Sequence, residues 1–127
     1  MQGKHLYEYA VIRIVPRVER EEFINTGIIL FSKHARYIRL KYHIDEKKLN
    51  CFAGEYDAGL IRETLHSFEK IALGKKEGGA IALFDIPERF RWLTAVRSSC
   101  IQTSRPHSGF SDDLDKTLER LFAEMVL

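Results

Sequence analysis

The stretch Leu6–Val15, Leu-Tyr-Glu-Tyr-Ala-Val-Ile-Arg-Ile-Val, limits the possible folds of this chain more than any other. It is rich in aromatic and β-branched residues, which suit a pleated, packed surface, and it ends at Pro16, which has no N–H to give a ladder. Its middle is apolar at both parities. The spacing therefore predicts a central strand covered on each side, not a strand with one wet face. Alternation places Arg13 on the face of Tyr7, Tyr9 and Val11, where a guanidinium is a candidate buried cation in need of a partner.

The segments that follow supply neighbours for such a strand. Arg17 to Phe23 is a charged link of alternating sign, expected at the surface. Ile24 to Phe31 reads as a second strand, in which Gly27 marks a bulge or a close backbone approach. After a turn at Ser32–Ala35, Arg36 to Tyr42 sets Ile38, Leu40 and Tyr42 against Tyr37, Arg39 and Lys41. That predicts a hairpin with one dry and one wet face, and an edge strand on which Lys41 discourages further pairing. Asp45 is placed to cap a short helix through Leu49. From Asp57 the period becomes helical, with Leu60, Ile61, Thr64, Leu65, Phe68, Ile71 and Ala72 on one face, Asp57 as N-cap and Gly74 past the end. Lys75–Gly79 reads as a flexible loop without the pattern of a phosphate loop, and Ala80–Phe84 stays open between a short strand and a packed loop. Ser111 is placed to cap a last helix with Leu114, Leu118, Leu121, Phe122 and Met125 on its apolar face.

A chain of 127 residues with these elements is expected to form a single α+β domain spanning residues 1–127. The expected architecture is a small, mainly antiparallel sheet of three to five strands packed against two or three helices. No apolar run approaches the roughly 20 residues that cross a bilayer, and the N-terminus lacks a signal-peptide pattern, so a cytoplasmic protein with no membrane partner is expected. Cys51 and Cys100 are far apart in sequence and are expected to be buried free thiols.

The most unusual side chains lie between Glu88 and Gly109. Pro87, with Asp85 ahead of it, predicts a helix through Val96. On that helix Arg89 falls inside the apolar arc of Ile86, Phe90, Trp92, Leu93 and Val96, with Arg97 near its end. Such a cation requires a carboxylate, with Glu19 and Glu22 as candidates, or else faces an anion-binding cleft. Ser99–Ser104 alternates as a strand whose Cys100, Gln102 and Ser104 face is nearly all polar. Arg105–Gly109 reads as its exit turn, where His107 is a weak candidate acid or base.

The chemistry tests narrow this segment. The five His and two Cys show no paired ligand spacing, so no metal and no cofactor is expected, and no nucleophile signature surrounds either Cys. Recognition of an anion by Arg, hydroxyl and amide groups is the most specific chemistry available. The candidate ligand-binding residues are Arg13, Arg17, Glu19, Arg20, Asn25, Arg89, Trp92, Arg97, Gln102, Ser104 and His107, closing a cleft between the Arg17–Asn25 link and the Arg89–His107 segment. The first expectation is a binding or regulatory module for a phosphate-bearing ligand or an acidic group of a protein partner. The alternatives are an enzyme acting on a phosphorylated or nucleotide substrate through His107, and a nucleic-acid-binding domain using Arg91, Arg97, Arg105 and Trp92. A net charge of +2 makes nucleic acid the weakest of the three.

Several blocks taken together resemble a bacterial family, the domain-of-unknown-function family 3037. They are Tyr9–Pro16, Glu19–Leu30, Arg89–Ser98, Ile101–Ser104 and His107–Gly109, and the likeness covers nearly the whole chain. Val96 departs from the Pro that relatives tend to carry, which would let the helix run a turn further. The resemblance implies a small cytoplasmic bacterial protein. Because members are often encoded beside HipA-like kinases, it also implies a kinase-like protein partner, an inference by association only.

Overall fold

Strand β1 (His5–Ile14) is the central strand of an antiparallel sheet in the computed structural model, which describes residues 4–53, 56–95 and 99–127. On one side β1 pairs with β2 (Ile24–Ser32), which pairs in turn with β3 (Tyr37–Tyr42). On the other side two short strands share its length. β4 (Ile101–Thr103) pairs with Ile12–Ile14, and β5 (His107–Ser111) pairs with His5–Tyr9. Ser104 spans the gap between them. Its N–H donates to the Val11 carbonyl at 2.8 Å, and its hydroxyl accepts from the Val11 N–H at 2.9 Å. Pro106 has no N–H, so the ladder breaks there before β5 resumes it.

The two-sided apolarity of β1 and β2 follows from helices on both faces. Ala10, Ile12, Ile14, Ile29, Phe31 and Ile38 pack beneath α2 (Ala58–Leu73) and α3 (Ile86–Leu93). Tyr7, Val11, Ile28 and Leu30 pack beneath α4 (Leu114–Met125). Ile12, Ile28 and Leu30 are fully buried, each such side chain contributing about 1.5–3 kcal/mol relative to exposure. The result is an α+β fold of five strands and four α-helices among the described residues, α1 (Glu46–Ala53) being the fourth helix.

Local chemistry sets the helix ends. Asp45 accepts from the Lys48 N–H at 3.1 Å, and α1 runs past Leu49 to Ala53. Asp57 accepts from the Leu60 N–H at 2.9 Å, and Gly74 closes α2 at φ 70°, a conformation that favours glycine. Of the apolar arc expected on α2, Leu60 instead points outward and is 49% exposed. The segments read as loop or ambiguous form two short 3₁₀ turns, Lys76–Gly78 and Ile81–Leu83. Asp85 caps α3, which ends at Leu93, short of Val96; Val96 itself lies outside the described residues.

Four further expectations are corrected. Arg105–Gly109 is not simply an exit turn, since His107 onward forms β5, held by pairing with β1 rather than by its own weak strand propensity. Ser111 does not cap α4, because its hydroxyl accepts from the Asp113 N–H at 3.0 Å, ahead of the first helical turn. Asp113 is the cap, accepting from the Lys116 N–H at 3.1 Å. The second face of β3 is wet only in part, with Arg39 exposed but Tyr37 and Lys41 partly covered. Tyr37 donates to Asp115 at 2.8 Å, while Lys41 pairs with Glu119 at 2.5 Å and lies 4.8 Å from the centre of the Phe122 ring, so α4 covers part of this face with the polar ends snorkelling outward. Both cysteines are free, but Cys51 is exposed and Cys100 half-buried, its thiol pushed up mainly by burial. Among the described residues no helix is long and apolar enough to cross a membrane.

Candidate functional site

Helix α4 packs chiefly on β2 and β3. Toward the other edge the same sheet face is open enough to leave Tyr9, Arg13, Asn25 and Gln102 half-buried and His107 exposed. Registration brings these residues together. Arg13 stands between Asn25 on β2 and Gln102 on β4, and Tyr9 stands opposite His107 on β5. Side chains directly opposite in an antiparallel pair lie on one face with Cβ atoms about 4.5–5.5 Å apart.

A bulge makes the first of these groupings. Ile12 pairs with Gly27 but Arg13 pairs with Asn25, so Thr26 is the extra residue. Thr26 is buried and donates its hydroxyl to the His43 carbonyl at 2.6 Å. Gly27 allows the close approach of β3, since a Cβ there would lie 2.7 Å from the Lys41 carbonyl oxygen and 2.9 Å from Tyr42 Cβ. The extra residue turns Asn25 onto the face of Arg13.

The polar groups there are only partly satisfied. Asn25 donates its amide to the Met125 carbonyl at 3.0 Å, and Gln102 donates to the Ser99 carbonyl at 3.0 Å. The Arg13 guanidinium lies over the Phe23 ring at 4.1 Å, a cation–π contact that orients its plane. None of the ion pairs among the described residues involves Arg13. Arg13 Nε and Asn25 Oδ1 are both buried without a hydrogen-bond partner, and each such orphan costs about 1–3 kcal/mol. A planar donor fork without a carboxylate has the chemistry to hold a phosphate or carboxylate, whereas the orphan Asn25 Oδ1 is an acceptor and calls for a donor.

Farther along the face, the Tyr9 and His107 rings lie 5.3 Å apart with 34° between their planes, and Tyr7 follows at 6.3 Å from Tyr9. Tyr9 and Arg13 are four residues apart on β1, which at strand rise is roughly 13 Å. His107 therefore sits at the far end of the same face from the guanidinium.

The remaining sequence candidates lie elsewhere. Arg89 meets neither Glu19 nor Glu22. Its Nη1 donates to the Ile71 and Ala72 carbonyls, each at 3.3 Å, while Glu22 pairs with Arg20 at 2.5 Å. The cation thus sits at the negative dipole end of α2, sharing the Ile71 carbonyl with the Gly74 N–H, while its buried Nε has no partner. Trp92 is 38% exposed and meets Phe68 edge-on at 6.3 Å. Arg17, Glu19 and Arg20 are exposed around the 3₁₀ turn Val18–Arg20, and Arg97 lies outside the described residues. The sheet thus separates Arg89 and Trp92, on the α2 and α3 side, from Arg13, Asn25, Gln102, Ser104 and His107 on the α4 side. Within that second group Ser104 is buried, its hydroxyl holding Val11. Phe23 and Tyr9 belong to this face but were not singled out from the sequence. The available signals were an aromatic ring ending a charged link and the shared parity of Tyr9 and Arg13. Among the described residues no three His, Cys, Asp or Glu side chains gather as a metal site.

No curated protein and no solved structure matches the chain. A family model described as "Protein of unknown function (DUF3037)" matches residues 9–126, a span that contains the whole face from Tyr9 through His107 and nearly all of the fold around it. The chain belongs to that family.

Proposed function

We propose that the protein is a binding module that recognises an anionic group, phosphate or carboxylate, at Arg13. The observation that supports this reading is a half-buried guanidinium, oriented by Phe23 and flanked by Asn25 and Gln102, with no carboxylate partner among the described residues. An arginine fork gives charge-assisted, geometrically selective bonds to such a group, worth about 1.5–3 kcal/mol each. The anion belongs to a phosphate-bearing small molecule or to an acidic side chain of a protein partner, for which the family resemblance suggests a kinase-like protein. His107 stands opposite Tyr9, four residues along β1 from Arg13, and has no catalytic role in this reading.

The test is an amide-shift titration of labelled protein with inorganic phosphate and phenyl phosphate. Saturable shifts are expected on β1, β4 and the bulge of β2, and are lost in Arg13→Ala. Arg13→Lys keeps the charge without the fork and is expected to bind more weakly than the natural protein. Equal titration of Arg13→Ala and the natural protein, with Arg13→Ala folded, overturns the proposal.

A further inference from the structure

The opposite face of the sheet holds a cleft of about 570 Å³ beside α3, a volume typical of small-molecule sites, which run roughly 300–1,000 Å³. Its floor is rigid and aromatic. Phe31 of β2 and Phe90 of α3 are both buried and stack at 4.7 Å with 22° between their planes. Beside Phe31, on the central strand, stands Glu8. Its parity is that of Ala10, Ile12 and Ile14, so it places a carboxylate in a row that is otherwise core. Glu8 is half-buried and takes part in no ion pair or side-chain hydrogen bond among the described residues. Toward solvent the walls carry cations, Lys33 from the turn after β2 and Arg91 from α3, also without carboxylate partners among the described residues. Asp85, at the same mouth, is already engaged in capping α3 through the Glu88 N–H at 3.3 Å. Leu6, 48% exposed, extends the apolar floor outward.

We infer that this cleft binds a small amphoteric molecule with a flat apolar body, placing a protonated amine on Glu8 and an anionic group toward Lys33 and Arg91. The order of charges argues for that class. A simple anion on the aromatic floor would lie against Glu8, and a simple cation would enter past Lys33 and Arg91. A neutral apolar molecule would cover the Glu8 carboxylate without replacing its water. Only a molecule carrying both charges on a flat apolar body satisfies the floor and the mouth together.

The experiment is an amide-shift titration with three probes: L-tryptophan, tryptamine, which lacks the anion, and indole-3-propionate, which lacks the amine. L-Tryptophan is expected to give saturable shifts at Glu8, Phe31 and Phe90, with each truncated probe about tenfold weaker, the scale of one charge-assisted contact. Glu8→Gln is expected to weaken L-tryptophan by a similar factor while leaving indole-3-propionate nearly unchanged. Lys33→Ala and Arg91→Ala, at exposed positions, do the converse and serve equally if Glu8→Gln fails to fold. Arg13→Ala, across the sheet, leaves the titration unaltered, which separates this site from the one proposed above. Absence of saturable shifts at these amides, equal binding of all three probes, or indifference to the charge substitutions overturns the inference.

Discussion

Tyr37 shows how one side chain can tie stability to pH. Burial, and after it the hydrogen bond and charge of Asp115, raise its phenol well above the ordinary value of about 10. The folded state therefore holds this proton more tightly than the unfolded chain does. The resulting stability is fully present below the unfolded pKa and is lost as pH rises beyond about 10. Urea denaturation between about pH 9 and 11 should show the natural protein losing stability faster than Tyr37→Phe; parallel curves would contradict the assignment. At this scale, strand parity puts Arg13 and Glu8 on opposite faces of β1, because side chains alternate wherever the chain is extended. It could not give their partners. Phe23 over Arg13, and Phe31 beside Glu8, depend on chain crossings that periodicity does not encode.

At the level of elements, α2 and α4 were legible because each carries a long apolar stripe, and α2 also because Asp57 and Gly74 mark its ends. β5 was not. His-Ser-Gly-Phe-Ser has the composition of a turn, and only the free edge of β1 makes it a strand. Arg89 belongs to the same category, since its role depends on where the last turn of α2 lies relative to α3. Arg89→Ala should leave the Ala72 carbonyl without its Nη1 donor, Ile71 still accepting from the Gly74 N–H, and lower stability by about 1–3 kcal/mol. Arg89→Met, which keeps the apolar stem, should lose less. An unchanged urea midpoint in Arg89→Ala would show that the contact contributes nothing.

For the molecule as a whole, one antiparallel sheet keeps two different surfaces apart. Its α4 side carries the Arg13 cluster and the Tyr9–His107 rings, and its α3 side carries the aromatic cleft with Glu8. The sequence pointed to the segment Glu88–Gly109 as one site because its unusual residues are adjacent along the chain. Folding divides that segment, sending Arg89 and Trp92 to one side of the sheet and Gln102, Ser104 and His107 to the other. Adjacency in sequence was therefore a poor guide to adjacency in space, whereas the parity of the central strand was a good one. The proposed anion site lies at Arg13 and not at Arg89, the cation that stands out in the sequence. Calorimetric affinity for phenyl phosphate, measured for the natural protein, Arg13→Ala and Arg89→Ala under conditions where all three are folded, tests it most directly. A loss of about tenfold or more in Arg13→Ala, with Arg89→Ala unchanged, is the predicted result. Loss in Arg89→Ala with Arg13→Ala unaffected would contradict the account.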